Sequence, residues 1–274
     1  MDWLSAPVRV AAELAPTVWT FAAAERQRSG ASSSRGGAAR LVAARAIGAS
    51  GAALEDDIRA FRRAAKLPME VGVVLWPLPG DEGVSPIESR HAADVRVPNA
   101  RVLRDRVSHL VRAGGLVTGV WLPHECFAAL AAARGESTAC VIIAHPGMTC
   151  VGFVMDGHVR ARYLSSPVAP ERFERESERL LARYQHIASL APHVRELGGA
   201  AAGVRVLVAG HLPALRAAMV PLVEELDHEI DVLDAEVPAW APTTLEADDI
   251  SGLQLAWTLA SMSSAPGSSG PGGS

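Results

Sequence analysis

The stretch Cys140–His158, CVIIAHPGMTCVGFVMDGH, decides the fold of this chain. An apolar run is followed by the break His145-Pro146-Gly147, then by a second alternating run and the dipeptide Asp156-Gly157. Apolar runs bounded by Gly, Pro and Asp-Gly are typical of strands joined by tight turns. The stretch therefore predicts a β-hairpin with its tip at His145–Gly147 and a third strand after Asp156-Gly157.

A similar pattern lies near the N-terminus, where Val8–Ala12 and Val18–Phe21 predict two strands around Ala15-Pro16-Thr17. The prolines of the two turns, Pro16 and Pro146, are 130 residues apart. The elements that follow each hairpin match in type and order, so the sequence predicts an internal duplication. The first half continues with strands at Arg40–Ala46, Val71–Trp76 and Val117–Trp121 and helices at Leu54–Lys66, Asn99–Ala113 and Glu125–Arg134. The second half continues with strands at Val159–Leu164, Val204–Val208 and Ile230–Leu233 and helices at Glu171–Leu190, Ala214–Leu226 and Ile250–Met262.

Composition favours a folded protein and disfavours several classes of partner. The chain has 274 residues, of which 49% are apolar and 20% charged, enough to bury a substantial core. A net charge of -4 gives no general attraction to nucleic acid or to an anionic membrane, so we expect no nucleic-acid partner. The sequence has no long apolar run and no secretory signal, and its three cysteines form no CxxC pair. These features predict a cytoplasmic protein without a structural zinc site.

The pattern of elements predicts two lobes and a tail. Residues 1–122 form the first lobe, with residues 80–98 mostly loop, and residues 123–262 form the second lobe. Residues 263–274 are rich in Gly, Ser and Pro and are expected to be a disordered tail.

The duplicated order of a three-strand meander, helix, strand, helix, strand and helix resembles the actin-like ATPase superfamily, which includes Hsp70 chaperones and sugar kinases. Within it the chain looks most like the type IV pilus assembly protein PilM and the cytoplasmic domain of the type II secretion protein GspL. The resemblance spans Val8–Met262 and is carried by TACVIIAHPGMTCVGFVMDGHV, ERLLARYQHIASL, VRVLVAGHLPALRAAMVPLVEEL and DISGLQLAWTLASM. It implies an α/β fold with two mixed-sheet, ribonuclease H-like lobes around a central cleft.

The resemblance also implies where a nucleotide cleft falls. Its phosphate hairpins and adenosine-side turn correspond to Glu13, Ala15, Pro16, Thr17, His145, Gly147, Thr149 and Gly210. The family has an acid in the second hairpin that organises Mg²⁺ and water, but Ile143 stands at that place. A proline ring or a Cβ also removes a donor or the space that phosphate requires. We therefore expect a vestigial cleft that binds ATP and Mg²⁺ weakly at most, with no catalytic residue.

Two functions follow from the resemblance. The first is a non-catalytic scaffold of a type IV pilus or type II secretion inner-membrane platform, which binds a cytoplasmic peptide of a bitopic PilN-like membrane protein. The alternative is a nucleotide-dependent ATPase or kinase with atypical phosphate loops. A third interpretation, an α/β protein without the repeat, also remains open at this stage.

Three further groups of residues admit a functional and a structural interpretation. His145, Asp156 and His158 read as a hairpin with an ordinary turn more readily than as a catalytic set. His124-Glu125-Cys126 has no second cluster at a metal-ligand spacing, which favours packing at a helix start. The mixed charges of Glu171–Arg183 are typical of a solvated helix face, with a partner surface as the alternative.

Overall fold

Two five-stranded sheets form the centre of the protein in the computed structural model. It describes residues 7–15, 17–26, 39–49, 53–77, 100–165, 175–199, 201–212, 215–226, 230–233 and 252–262. The first sheet contains β1 (Val8–Leu14), β2 (Val18–Arg26), β3 (Ala39–Gly48), β4 (Glu70–Leu75) and β5 (Leu116–Trp121). The second contains β6 (Thr138–His145), β7 (Met148–Met155), β8 (His158–Ser165), β9 (Arg205–Gly210) and β10 (Ile230–Val232).

The two sheets have the same topology. The first has the order β3-β2-β1-β4-β5, and the second, read from its own third strand, has the order β8-β7-β6-β9-β10. In each sheet the first three strands are antiparallel, and the first strand is parallel to the fourth. The parallel pairing continues to the fifth strand. The predicted duplication is therefore confirmed, as is the α/β fold class with two mixed sheets.

Helices connect and cover the sheets. They are α1 (Leu54–Ala64), α2 (Ala100–Arg112), α3 (Phe127–Ala133), α4 (Glu176–Ala188), α5 (Leu190–Leu197), α6 (Leu215–Ala218), α7 (Val220–Leu226) and α8 (Gln254–Ser261). Among the described residues, none of these helices has the length and apolar character needed to cross a bilayer. The predicted loop at residues 80–98 and the predicted tail at residues 263–274 lie outside the described residues.

Two helix predictions are corrected. The single helix predicted at Ala214–Leu226 is wrong, because α6 ends at Ala218 and α7 begins at Val220. Pro221 has no N–H to donate to the preceding turn, which explains the interruption. The helix predicted at Glu125–Arg134 begins instead as a 3₁₀ turn at Pro123–Cys126. Proline is favoured at the first position of such a turn, because an N–H at that position would have no partner within the turn.

Strand alternation divides each sheet into two faces. On β6, Val141 and Ile143 face an inter-sheet cluster that also contains Ala11 of β1 and Ala15, the residue that follows β1. The even-numbered neighbours Cys140, Ile142 and Ala144 face α4, α5, α6 and α7 instead. Because side chains alternate with a period of two residues, each sheet has one face toward the other sheet and one toward its own helices.

The last described helix packs on the first sheet. Leu255 and Leu259 of α8 are buried in the inter-sheet cluster, and α8 lies against β1, β2 and β4. The guanidinium of Arg9, buried on β1, donates to the carbonyl oxygen of Met262 at the end of α8. The division into lobes between residues 122 and 123 stays a prediction. After the last described strand of the second sheet, the chain returns to the first sheet through α8.

Gly210 gives a test of the close approach between β6 and β9 in the second sheet. Its φ is +135°, and a Cβ added there would collide with the Ala144 backbone on the adjacent strand β6. We expect Gly210→Ala to lower the free energy of unfolding by well over the roughly 1–2 kcal/mol typical of a residue forced into left-handed geometry. Gly203→Ala is the matched control, since its φ is +81° and a Cβ would meet no atom within 4 Å. Urea unfolding of both variants measures the difference; equal losses would contradict the close approach of β6 and β9.

Candidate functional site between the two sheets

A buried carboxylate lies between the two sheets. Glu13, near the end of β1, accepts hydrogen bonds from Trp76 Nε1 at 2.7 Å and from His145 Nε2 at 2.8 Å on the same oxygen. Its second oxygen accepts a longer bond from the Thr20 hydroxyl at 3.3 Å. Glu13 and His145 are both almost completely buried. The Glu13–His145 contact joins the first sheet to the second directly.

The repeat explains why these two residues meet. Glu13 and His145 stand at the ends of β1 and β6, the equivalent first strands of the two sheets. Both lie at odd positions, in phase with Ala11 and Ile143 on the inter-sheet faces. Thr20 lies directly opposite Glu13 on β2. Each hairpin therefore directs one polar side chain at the other hairpin.

His145 has one occupied and one free ring nitrogen. Its Nδ1 is buried and has no hydrogen-bond partner among the described residues. Because a carboxylate oxygen accepts, Nε2 carries the hydrogen that is donated to Glu13.

A second polar group, formed by Tyr163 and His124, lies between Trp76 and the 3₁₀ turn at Pro123–Cys126. The Trp76 ring makes edge contacts with the rings of His145 and Tyr163, with centroids 4.9 Å and 6.2 Å apart. The Tyr163 hydroxyl is 2.8 Å from Nδ1 of His124. Burial raises the pKa of Tyr163 well above its ordinary value and lowers the pKa of His124 to about 4. Both groups are therefore neutral near pH 7, with no sign of an activated nucleophile or base.

The structure brings together only part of the set implied by the resemblance. Glu13 and His145 are in contact, and Gly210 lies against β6 beside them. Ala15 is buried close to the same cluster, and Gly147 takes a φ of +90° in the β6–β7 turn. Thr17 accepts the N–H of Ala49 at its carbonyl oxygen. Pro16 lies outside the described residues.

Thr149 does not belong to this group. Its hydroxyl is 2.9 Å from Nε2 of His186 on α4. Its strand neighbours Val151 and Phe153 pack on the helix-covered face, whereas Met148 and Cys150 pack in the inter-sheet cluster. Burial, followed by the nearby His193, lowers the pKa of His186 to about 4. Thr149 therefore stabilises the contact between β7 and α4.

The residues present do not fit Mg²⁺-ATP in the arrangement that the resemblance implies. The carboxylate of Glu13 already accepts bonds from three protein groups. The Ile143 side chain is buried in the apolar inter-sheet cluster, where it can neither ligate Mg²⁺ nor orient water. Among the described residues, no three His, Cys, Asp or Glu side chains are grouped as metal ligands. Glu13, Trp76 and His145 contact one another at the place where the resemblance puts the phosphates.

Trp76 and Tyr163 were not identified from the sequence, and His124 was considered only within the group His124-Glu125-Cys126, for which packing at a helix start was favoured. Trp76 follows a buried parallel strand, and ligand sites in α/β proteins collect at the carboxyl ends of such strands, which was a usable signal. Tyr163 and His124 are 39 residues apart, and neither lies in a recognisable motif. Their contact depends on how the 3₁₀ turn packs against β8.

Comparison of the sequence gives no match to a protein-family model or to a curated protein. Comparison of the structure gives several matches over nearly the whole chain. Ethanolamine utilization protein EutJ from Carboxydothermus hydrogenoformans has 14% identity and a TM-score of 0.56, covering 95% of this chain and 91% of its own. A structure of the PilM–PilN type IV pilus biogenesis complex has 12% identity and a TM-score of 0.58, covering 92% of this chain and 97% of its own.

A third similar structure is the activator of 2-hydroxyisocaproyl-CoA dehydratase from Clostridium difficile with bound ADPNP. It has 10% identity and a TM-score of 0.52, covering 92% of each chain. At such identities the likeness establishes the fold and leaves the activity open. The chain has the actin-like ATPase fold.

The Glu13–His145 contact can be measured by a double-mutant cycle. We expect Glu13→Ala to lower the free energy of unfolding by about 3–5 kcal/mol, because it leaves the buried Trp76 and His145 donors without an acceptor. His145→Ala alone should cost less, because Trp76 and Thr20 remain bonded to Glu13. The interaction energy between the two substitutions should lie within about 0.5–3 kcal/mol. Urea unfolding of the four proteins gives this value, with the exposed His158→Ala as control for His145; an interaction energy near zero would refute the contact.

The buried histidines predict a loss of stability in acid. His124 and His186 have folded pKa values of about 4, below the ordinary value of 6.5. Between these values the unfolded chain binds more protons, so the stabilising contribution is full above pH 6.5 and is lost as pH falls toward 4. Each histidine contributes up to about 3 kcal/mol. Urea unfolding at pH 7.5 and pH 4.5 should show this loss, reduced in His124→Gln; the same slope in that variant would exclude His124 as a source.

Proposed function

We propose that the protein is a cytoplasmic scaffold of a type IV pilus or type II secretion inner-membrane platform, and that it does not turn over ATP. It binds a cytoplasmic peptide of a bitopic PilN-like membrane protein and is thereby held at the membrane. The actin-like fold and the similarity to PilM in a PilM–PilN complex support this proposal.

The single observation that carries it is the buried contact between Glu13 and His145, with Trp76 donating to the same carboxylate oxygen. An ATPase needs acids free to organise a metal ion and water between its two phosphate hairpins. Here Glu13 is bonded to His145 and Trp76, and Ile143 stands where the resemblance implies the second acid. The fold is then available as a rigid surface for protein binding.

The first sheet offers an edge for such a peptide. Among the described residues β5 pairs with β4 alone, and the side chain of Leu116 at its start is exposed. Met69 is also exposed, and the N–H of Leu116 donates to its carbonyl oxygen, so two exposed apolar side chains start from hydrogen-bonded residues at this edge. An extended peptide could add to this edge through backbone hydrogen bonds and apolar anchors.

A nucleotide-dependent ATPase or kinase is the second candidate. The observation that favours it is that the structure of one protein of similar fold contains bound ADPNP. This candidate requires Glu13 to exchange its present donors for a hydrated metal ion. It predicts Mg²⁺-dependent binding of ATP and loss of that binding when Glu13 is replaced.

One set of titrations separates the two candidates. A ligand at 100 times its dissociation constant adds about 2.7 kcal/mol to stability, so a bound nucleotide would raise the melting temperature by several degrees. We expect no such rise with millimolar ATP and Mg²⁺. We also expect the N-terminal cytoplasmic peptide of the bitopic membrane protein encoded nearest this gene to bind in fluorescence anisotropy, equally to wild type and to Glu13→Gln. A Mg²⁺-dependent rise in the melting temperature would replace the scaffold with the ATPase, and failure of the peptide to bind would refute the proposed partner.

A further inference from the structure

A histidine at the contact between α1 and α2 has two partners of opposite character. Nδ1 of His109, on α2, lies 3.1 Å from Oε1 of Glu55, in the first turn of α1. The same nitrogen lies 2.9 Å from Nη2 of Arg112, one turn later on α2. One ring nitrogen therefore faces both a carboxylate and a guanidinium at hydrogen-bond distance.

The two hydrogen bonds at this nitrogen exclude each other. A guanidinium only donates and a carboxylate only accepts, so Nδ1 accepts from Arg112 when it carries no hydrogen and donates to Glu55 when it carries one. A neutral imidazole has one ring hydrogen and can place it on Nε2, whereas the protonated ring has a hydrogen on both nitrogens. Protonation of His109 therefore removes the bond from Arg112 and supplies the bond to Glu55.

Glu55 is positioned as an acceptor in both states of the histidine. Its Oε1 accepts a hydrogen bond from Nε of Arg112 at 2.6 Å, and its Oε2 accepts a longer one from Nη2 of Arg59 at 3.4 Å. The bond from Arg112, followed by the contact with His109, lowers the pKa of Glu55 against the opposing effect of desolvation. Glu55 is therefore a carboxylate throughout the pH range in which histidine changes charge.

Charged groups of both signs lie near the ring on α1 and α2. Strand β5, which also packs on α2, contains no charged residue, and β2 contributes the ring of Trp19, whose centroid is 6.0 Å from that of His109. The His109 side chain is 41% exposed, so it exchanges protons with solvent. The nearby charged groups are Glu55, Asp56, Asp105, Arg59, Arg62 and Arg112.

The last turn of α2 depends on the same cluster. Arg59 donates to the carbonyl oxygen of Arg112 at 3.0 Å, and Arg62 donates to that of Ala113 at 3.2 Å, so two side chains of α1 satisfy carbonyl groups at the end of α2. A protonated His109 adds a positive charge in this turn, which the helix dipole favours, together with a hydrogen bond across to α1. We therefore expect protonation to stabilise the last turn of α2 and deprotonation to remove that stabilisation as pH rises.

We propose that His109 is a pH-sensitive switch, which exchanges a hydrogen bond from Arg112 within α2 for one to Glu55 on α1 and thereby stabilises the last turn of α2. That turn leads through Gly114 and Gly115 into the edge strand β5. The switch operates between about pH 5 and 8, where histidine changes charge. It is independent of the scaffold function proposed above and requires neither nucleotide nor the PilN-like peptide.

NMR of the histidine side chains in the full chain tests the exchange of partners, because it reports the charge and the tautomer of His109 against pH. We expect the neutral ring to carry its hydrogen on Nε2. Glu55→Gln should lower the midpoint of the His109 titration by about half a pH unit, and Arg112→Gln should raise it by about as much. His158→Gln, at an exposed position of β8, is the control and should leave the midpoint unchanged. A midpoint that neither Glu55→Gln nor Arg112→Gln moves would overturn the proposal.

Amide hydrogen exchange tests the effect on the helix end. The N–H groups of Ala113 and Gly114 donate to the carbonyl oxygens of His109 and Val111 in the last turn. We expect their protection, corrected for the intrinsic rate, to be about two- to fivefold greater at pH 5.5 than at pH 7.5. The difference should disappear in His109→Gln and persist in His158→Gln. The same difference in His109→Gln would overturn the switch, and its persistence in Glu55→Gln would overturn the role of the bond to α1.

Discussion

A carboxylate buried between two sheets constrains this structure more than any other single group. Transferring Glu13 from water without donors would cost several kcal/mol, so its hydrogen bonds must form in the folded state. The donors come from Thr20 on β2, from Trp76 after β4 and from His145 at the end of β6. All three are present together only when the first sheet is in register and the second sheet lies against it. The hydrogen bonds of this one carboxylate therefore form only when the two hairpins hold their position relative to each other.

The same face of β1 carries a second buried charge with a distant partner. Arg9 donates to the carbonyl oxygen of Met262, 253 residues away, at the end of α8. A cation near the end of a helix also interacts favourably with the helix dipole. Glu13 and Arg9 therefore attach to β1 both the second sheet and the last described helix.

Nucleotide enzymes with two lobes commonly close around their ligand and reopen, and contacts of this kind oppose reopening. This is consistent with the proposed role as a scaffold.

Much of the architecture was predictable from local patterns. Alternating apolar residues set the hairpins, and the two Pro-containing turns at the same place in each half indicated the duplication. The prediction failed where a local preference opposed a periodic pattern, as at Pro221, which divides one predicted helix into α6 and α7. It also did not predict the contact between Tyr163 and His124, because no sequence motif connects these two residues. Trp76 was the exception, because its position after a parallel strand carried a signal.

The sequence by itself determined most of the elements, their order in the two repeats and the presence of an apolar residue, Ile143, near the end of β6. These properties depend on neighbouring residues, and alternation or turn chemistry reports them directly. Only the tertiary structure decided which of the two faces of each strand meets the other sheet. That choice brings His145 to Glu13 across 132 residues and turns Thr149 away, toward His186 on α4. A period of two residues defines two faces but does not say which is inside, because burial of both faces depends on packing with segments far along the chain.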